Sequence, residues 1–150
     1  MQSDLLSLDE AINKIKSNFQ KISNEDIFLK DALGRCLAKS IISEVDNPKY
    51  DVSSMDGYAV NYNDFVKKDS RIKKFKIIGE SSAGFPYLKK INTLEAVRIF
   101  TGAKLPKGSN TVIIQEDVKV SNNSKYITIH ETPKKNQFVR KKGLDFKKNN

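Results

Sequence analysis

The sequence predicts an α+β protein, with a mixed helical N-terminal lobe joined to an all-β, barrel-like lobe. Three observations carry that prediction. A single apolar stripe at helical spacing runs from Leu8 to Ile22. Pro48 then breaks the chain just ahead of a change of pattern. From Gly57 onward, short apolar segments of period two alternate with loops rich in Gly and Pro, the signature of a compact barrel or sandwich. The expected division is 1–46 for the mixed lobe, with 140–150 returning to it, and 47–139 for the β lobe.

Taken in order, the first element is a helix. Ser7 can cap it and Glu10, three residues on, completes a capping box. Leu8, Ile12, Ile15, Phe19 and Ile22 then fall on one face, with Asp9, Asn13, Lys14, Lys16 and Gln20 opposite, and Ser23 and Asn24 end the run. The stripe predicts core or interface packing. Ile27–Leu29 reads as a short strand, Asp31–Gly34 as a turn or short helix stopped by Gly34, and 36–42 as a second apolar segment. In the second lobe the expected strands are 57–61, 72–79, 95–100, 111–120 and 126–131, with a short helix at Asn63–Val66. The run 121–124 (SNNS) predicts a hairpin turn, and 79–86 and 101–110 predict loops.

Composition bounds the function. Hydrophobic residues at 38% and charged residues at 30% suit a globular chain and argue against full disorder. No apolar run approaches the roughly 20 residues of a membrane span. The start, MQSDLLSLDE, has no basic segment followed by an apolar one, so no secretory signal is expected and the expected compartment is the cytoplasm. A single cysteine, Cys36, cannot form an internal disulfide and reads as a small buried residue. Of the net charge of +9, residues 134–150 supply +6 from seven Lys or Arg and one Asp, which leaves +3 for the first 133 residues. That tail is either a solvated basic end or an attractor of anionic ligands. Nucleic acid is the less expected partner, because no aromatic pattern suited to base stacking accompanies the charge.

Zinc-type ligand sets are excluded, since His130 and Cys36 are each the sole residue of their kind, and no P-loop or dinucleotide fingerprint occurs. Two loops are left as candidate chemistry. The first is Ser53-Ser54-Met55-Asp56-Gly57, in which Asp56 offers a carboxylate to a ligand or Mg²⁺. The second is Thr101-Gly102-Ala103-Lys104-Leu105-Pro106-Lys107-Gly108, in which Thr101 offers a hydroxyl and an amide, Gly102 a close backbone approach, and two lysines positive charge, a combination suited to an oxyanion. Glu116 lies on or near the strand that follows. The same spacings also fit plain β-turns, because Asp-Gly and Pro-Lys-Gly are common turn chemistry. The residues alone leave both readings open.

Together these stretches resemble the molybdopterin molybdenumtransferase family, which includes the C-terminal domain of gephyrin. The family's Ser-x-Met-Asp-Gly-Tyr-Ala-Val segment is matched by Ser53 to Val60. Its Ile-x-Thr-Gly-Ala-x-x-Pro-x-Gly segment is matched by Ile99 to Gly108, ahead of a strand ending in Gln115-Glu116. Its Ala-x-Gly-Arg-x-Leu-Ala segment is matched by Ala32 to Ala38. Val52 and Leu144 depart from the pattern, where the family often has Asn and an acid.

The resemblance implies insertion of molybdenum from molybdate into adenylylated molybdopterin, with Mg²⁺ required and AMP released. It implies Asp56 and Thr101 as the catalytic positions, Asp56 also as the metal position, and Ser53, Gly57, Gly102, Glu116 and Arg140 as ligand-binding positions. Arg140 opens the Arg140-Lys141-Lys142-Gly143 run, which resembles a basic run before Gly in the family. A site shared across a homodimer, or with a complementing chain that carries the molybdopterin-binding domain, is the implied partnership. Family members are much longer, so the chain is expected to be an N-terminal portion, without the molybdopterin-binding and C-terminal β domains and without activity by itself. The other readings are a non-catalytic dimerisation scaffold and a basic-tailed nucleic-acid-binding module.

Overall fold

The computed structural model describes residues 5–20, 22–66 and 73–150. The chain separates into two compact units, Met1–Ile41 and Ile42–Asn150.

In the first unit, α1 spans Leu8–Asn18 and starts as expected. The Glu10 amide donates to Ser7 Oγ at 3.3 Å, and the Ser7 amide donates to the Glu10 carboxylate at 2.9 Å. The helix is shorter than its apolar stripe. Ser17 and Asn18 both aim side-chain donors at the Lys14 carbonyl, competing with the helical ladder, and Phe19 turns extended. Ile22 therefore lies beyond the helix, and Lys21 lies outside the described residues.

The expected helical lobe is not supported. No residue of α1 is buried, and Leu8, Ile12, Ile15, Phe19 and Ile22 are all exposed. An 11-residue helix alone is also marginal in water, where nothing covers its apolar face. The strand expected at Ile27–Leu29 is absent too. Its backbone finds no neighbouring strand and instead bonds locally, Asp31 N to Phe28 O at 2.9 Å and Ala32 N to Leu29 O at 3.2 Å, making a short 3₁₀ turn. The turn expected at Gly34 is present, with φ +79°. Cys36 is exposed rather than buried, because 36–42 forms no packed strand.

The second unit is built on strands: β1 (Val52–Ser53), β2 (Gly57–Val60), β3 (Lys73–Ser81), β4 (Glu95–Ile99), β5 (Thr111–Ile114), β6 (Val118–Val120), β7 (Tyr126–Ile129) and β8 (Val139–Arg140), with a short α2 at Asn63–Val66. β1 pairs with β8, and the other strands form one six-stranded sheet in the order β5-β2-β4-β3-β7-β6. Only β3 and β4 run parallel.

The sheet must curl. Its two edges, β5 and β6, are separated by only the three residues Gln115–Asp117. A flat sheet of six strands would place those edges about 24 Å apart, at about 4.8 Å per strand. The four-residue step from Ile114 to Val118 reaches at most about 14 Å. The run expected as one strand over 111–120 is thus two, bent at a 3₁₀ turn that carries the chain from one edge to the other.

β2 is buried on both faces, as the period of two requires. Tyr58 and Val60 join Phe75, Ala96, Ile113, Ile127 and Ile129 in one core. Ala59 faces the other way and joins Ile99, Ala103, Leu105 and Val112, covered by Phe138 and Val139. The second cluster anchors the 101–105 loop directly to the strand that Gly57 opens.

Gly57 pairs with Ile99 on one side and Ile114 on the other, and a Cβ there would overlap the Ile113 carbonyl oxygen. At Gly102 the constraint differs: φ is +80° and nothing lies within 4 Å of a Cβ. Gly57→Ala is therefore expected to destabilise the unit by at least ~2 kcal/mol through backbone overpacking, and Gly102→Ala by ~1 kcal/mol through its left-handed backbone alone. Urea unfolding of the two variants checks this ranking, and equal losses would contradict it.

Candidate functional site at the 53–57 and 101–105 loops

The polar run before β2 is held rigid by its own hydrogen bonds. Ser53 is buried, its hydroxyl donates to Met55 O at 2.6 Å, and the Met55 amide donates back to that hydroxyl at 3.3 Å. The Ser53 amide donates to Ala103 O at 2.9 Å, and Gly102 N donates to Ser53 O at 2.8 Å. The two candidate loops are thus zipped together backbone to backbone, although they lie far apart in sequence.

At the solvent edge of this seam, Asp56 Oδ1 accepts two hydrogen bonds from Thr101, one from the amide and one from the hydroxyl, each at 2.8 Å. The two residues are separated by 45 positions and both are exposed. The Thr101 amide is the main reason the Asp56 carboxyl is held below its usual range. The Thr101 hydroxyl adds to it, slight desolvation opposes, and the positive charge of Arg98 reinforces it. Asp56 Oδ2 has no partner among the described residues. The main-chain oxygen of Asp56 accepts from the Gln115 amide at 3.2 Å, so the acid is fixed at both ends.

The start of the second loop offers few free donors to an oxyanion. Its amides are committed to protein acceptors: Thr101 N to Asp56, Gly102 N to Ser53 O, and Ala103 N to Phe100 O. Lys104 stacks over the Tyr50 ring, with Nζ 4.0 Å from its centroid. The exposed edge therefore presents a carboxylate oxygen and a hydroxyl, a set that suits a cation or a hydrogen-bond donor better than a bare anion.

The other candidate residues are distributed as follows. Gly57 is buried and serves close packing against β5. Gly102 is exposed at the loop tip. Glu116 sits on the 3₁₀ turn, accepting from Gln115 Nε2 at 3.2 Å, and lines a groove of about 470 Å³ together with Ile113, Val118, His130 and Gln137. Arg140, opposite Val52 in the β1–β8 pair, ion-pairs with Asp145 at 2.6 Å. Among the described residues, neither Glu116 nor Arg140 bonds to Asp56 or Thr101.

The rest of the basic run is also engaged within the unit. Lys141 reaches Asp51 at 2.8 Å and Lys142 reaches Asp46 at 3.1 Å. Partial burial works against ionisation of Asp51, but Lys141 and the Lys142 amide prevail and hold its carboxyl below the usual range. These cations bind the 139–150 segment to 43–52, and Asn47 N donating to Phe146 O at 2.9 Å and Gly143 N to Pro48 O at 2.9 Å run alongside them.

Two residues at the site were not visible as such in the sequence, Arg98 and Gln115. The available signal was Arg98, two residues before Phe100, among the otherwise apolar residues Ala96 to Phe100. Arg35, in the Ala-x-Gly-Arg motif, pairs with Glu25 within the first unit.

Because the folded carboxyl of Asp56 is depressed, the clasp contributes stability that is present above the ordinary carboxyl range and lost as pH falls through the folded value. Thr101→Val removes the hydroxyl bond and keeps the larger amide contribution. The ¹³Cγ titration midpoint of Asp56 is expected to rise only part of the way to the ordinary Asp value. A full return to that value would show that the amide does not hold the carboxylate.

Comparison with known proteins agrees with the motifs. The family model described as the MoeA N-terminal region (domain I and II) matches residues 6–150. A molybdopterin molybdenumtransferase of Haemophilus influenzae is 38% identical over 145 residues, which span 96% of this chain and 35% of that protein. One from a Nostoc species is 39% identical over 119 residues, 79% of this chain and 27% of that protein. A crystal structure of a molybdopterin biosynthesis moeA protein from Pyrococcus horikoshii OT3 superposes with a TM-score of 0.82 at 30% identity, covering 98% of this chain and 39% of that one. The chain spans about a third of the length of these relatives. It belongs to the MoeA N-terminal region family.

Proposed function

We propose that this chain supplies one rim of a molybdenum-insertion site, in which molybdenum from molybdate enters adenylylated molybdopterin and AMP leaves. The observation that carries the reading is the Asp56–Thr101 clasp. A carboxylate and a hydroxyl on two exposed loops are bonded to each other beside a strand that is buried on both faces. Such preorganised polar groups are suited to a ligand that binds there, beyond the stability that the clasp gives the fold.

Asp56 Oδ2 would orient the ligand by accepting a hydrogen bond or by facing a cation, and Thr101 Oγ1 would contact the ligand from the adjacent loop. Among the described residues, no group of three or more His, Cys, Asp or Glu could hold a metal. Mg²⁺ normally draws on one or two carboxylates together with substrate phosphates and water. Among the described residues, the Asp56 carboxylate is the group at this rim that would hold it. A second polypeptide surface, from a copy of the chain or from a complementing chain with a molybdopterin-binding domain, would close the site.

A scaffold role is the second reading, favoured by the exposed apolar stripe of α1. The two readings part at Asp56. With the remaining two-thirds of a relative supplied as a fusion or in trans, Asp56→Asn is expected to reduce molybdenum insertion by roughly 10²-fold, whereas a scaffold would tolerate the change. Unaltered insertion in that variant, or turnover by the 150-residue chain alone, would overturn the proposal.

A further inference from the structure

Arg98 lies on β4 directly opposite Tyr58 of β2. Its guanidinium sits between two rings, 5.1 Å from the Tyr58 centroid and 4.9 Å from that of Phe100. One end of the fork donates to Gln115 Oε1 at 2.6 Å and the other to Gly57 O at 3.4 Å. Three of these four contacts fall one step from the clasp. Phe100 precedes Thr101, Gly57 follows Asp56, and Gln115 is the residue whose amide holds the Asp56 carbonyl. Arg98 makes no ion pair with Asp56 within the described residues, so the two are linked through neighbours and through space.

We propose that Arg98 is a positioning residue for the Asp56–Thr101 pair, a planar clamp that fixes the separation of the two loops and the direction of the free carboxylate oxygen. The proposal rests on the reading of that pair as the reactive rim. Several features make arginine the residue for the task. Its planar face fills the slot between two aromatic rings, which a compact ammonium cannot do. Its fork reaches a side-chain oxygen and a main-chain oxygen on different strands at once, and the short bond to Gln115 is of the stronger, charge-assisted kind. Its charge favours the ionised form of Asp56 without neutralising it by direct contact.

The test uses Arg98→Met, Arg98→Lys and Gln115→Leu in this chain, read by NMR without any molybdenum chemistry. The readouts are exchange of the Thr101 amide, exchange of the buried ladder amides of Ala59 and Ile127, and the ¹³Cγ titration midpoint of Asp56. Arg98→Met is expected to speed Thr101 exchange at least about tenfold relative to Ala59 and Ile127, a change of ~1.4 kcal/mol, and to raise the Asp56 midpoint. Arg98→Lys is expected to restore the midpoint but not the exchange rate, because it keeps the charge and loses the fork. Gln115→Leu is expected to speed Thr101 exchange with Arg98 intact.

Thr101 exchange that stays unchanged, or that rises only in step with Ala59 and Ile127, would overturn the proposal. So would full rescue of both readouts by lysine. Should Arg98→Met fail to fold, Arg98→Lys and Gln115→Leu decide by the same criteria. If these effects are found while Asp56→Asn leaves molybdenum insertion unchanged, the functional reading falls and the clamp stands. If Asp56→Asn abolishes insertion while the Arg98 variants leave Thr101 undisturbed, the clamp falls and the functional reading stands.

Discussion

One carboxylate oxygen, Asp56 Oδ1, accepts both donors of Thr101, and the arrangement of the rim depends on that doubled bond. It joins the loop before β2 to the loop after β4 at their exposed ends. Beneath it, Ser53 and Gly102 join the same loops backbone to backbone. Asp56 O, bound by Gln115, ties the pair to the 3₁₀ turn where the sheet passes from one edge to the other. A surface carboxylate ordinarily has rotamer freedom to lose before it can hold a ligand. Here most of that ordering is already done by neighbouring backbone, which is the condition for a preorganised site.

The mount beneath the clasp comes from burial. β2 is covered on both faces, by Tyr58 and Val60 on one side and Ala59 on the other. Gly57 is small because the Ile113 carbonyl lies where a side chain would be. The question raised by Asp56-Gly57 thus has a double answer. The pair does make a turn-like entry to a strand, and it also places an acid one residue outside a strand that has no room to move. Turn chemistry and the proposed site chemistry draw on the same residues.

Much of the β unit was legible because period two and Gly/Pro punctuation are local signals. Tyr126–Ile129 formed where the alternation is clean, Glu95–Ile99 formed around adjacent buried Ala96 and Val97, and 121–124 turned where SNNS leaves no apolar face to bury. The pairing of Asp56 with Thr101 was reached only through kinship of motif, since spacing alone allowed two unrelated turns. What remained hidden depends on long-range partners. The short β1 and β8 strands exist only because they pair with each other, and Phe138 and Val139 look like part of a basic tail until they are seen covering the second core. The N-terminal helix forms where its capping box and stripe place it, but no helical lobe is built around it. Its stripe is real, but an apolar periodicity says that a face seeks cover, and not where cover is found; within its own unit that face is exposed. Arg140, Lys141 and Lys142 likewise read as free charge, although Asp145, Asp51 and Asp46 are placed to meet them.

The most direct test of this account is the hydrogen bond itself, measured as a through-bond scalar coupling between the Thr101 amide nitrogen and the Asp56 carboxyl carbon in uniformly ¹³C,¹⁵N-labelled chain at neutral pH. The account requires a resolvable coupling between those two nuclei. A Thr101 amide coupled to a different acceptor, or to none, would show that the clasp is not the organising contact of the rim.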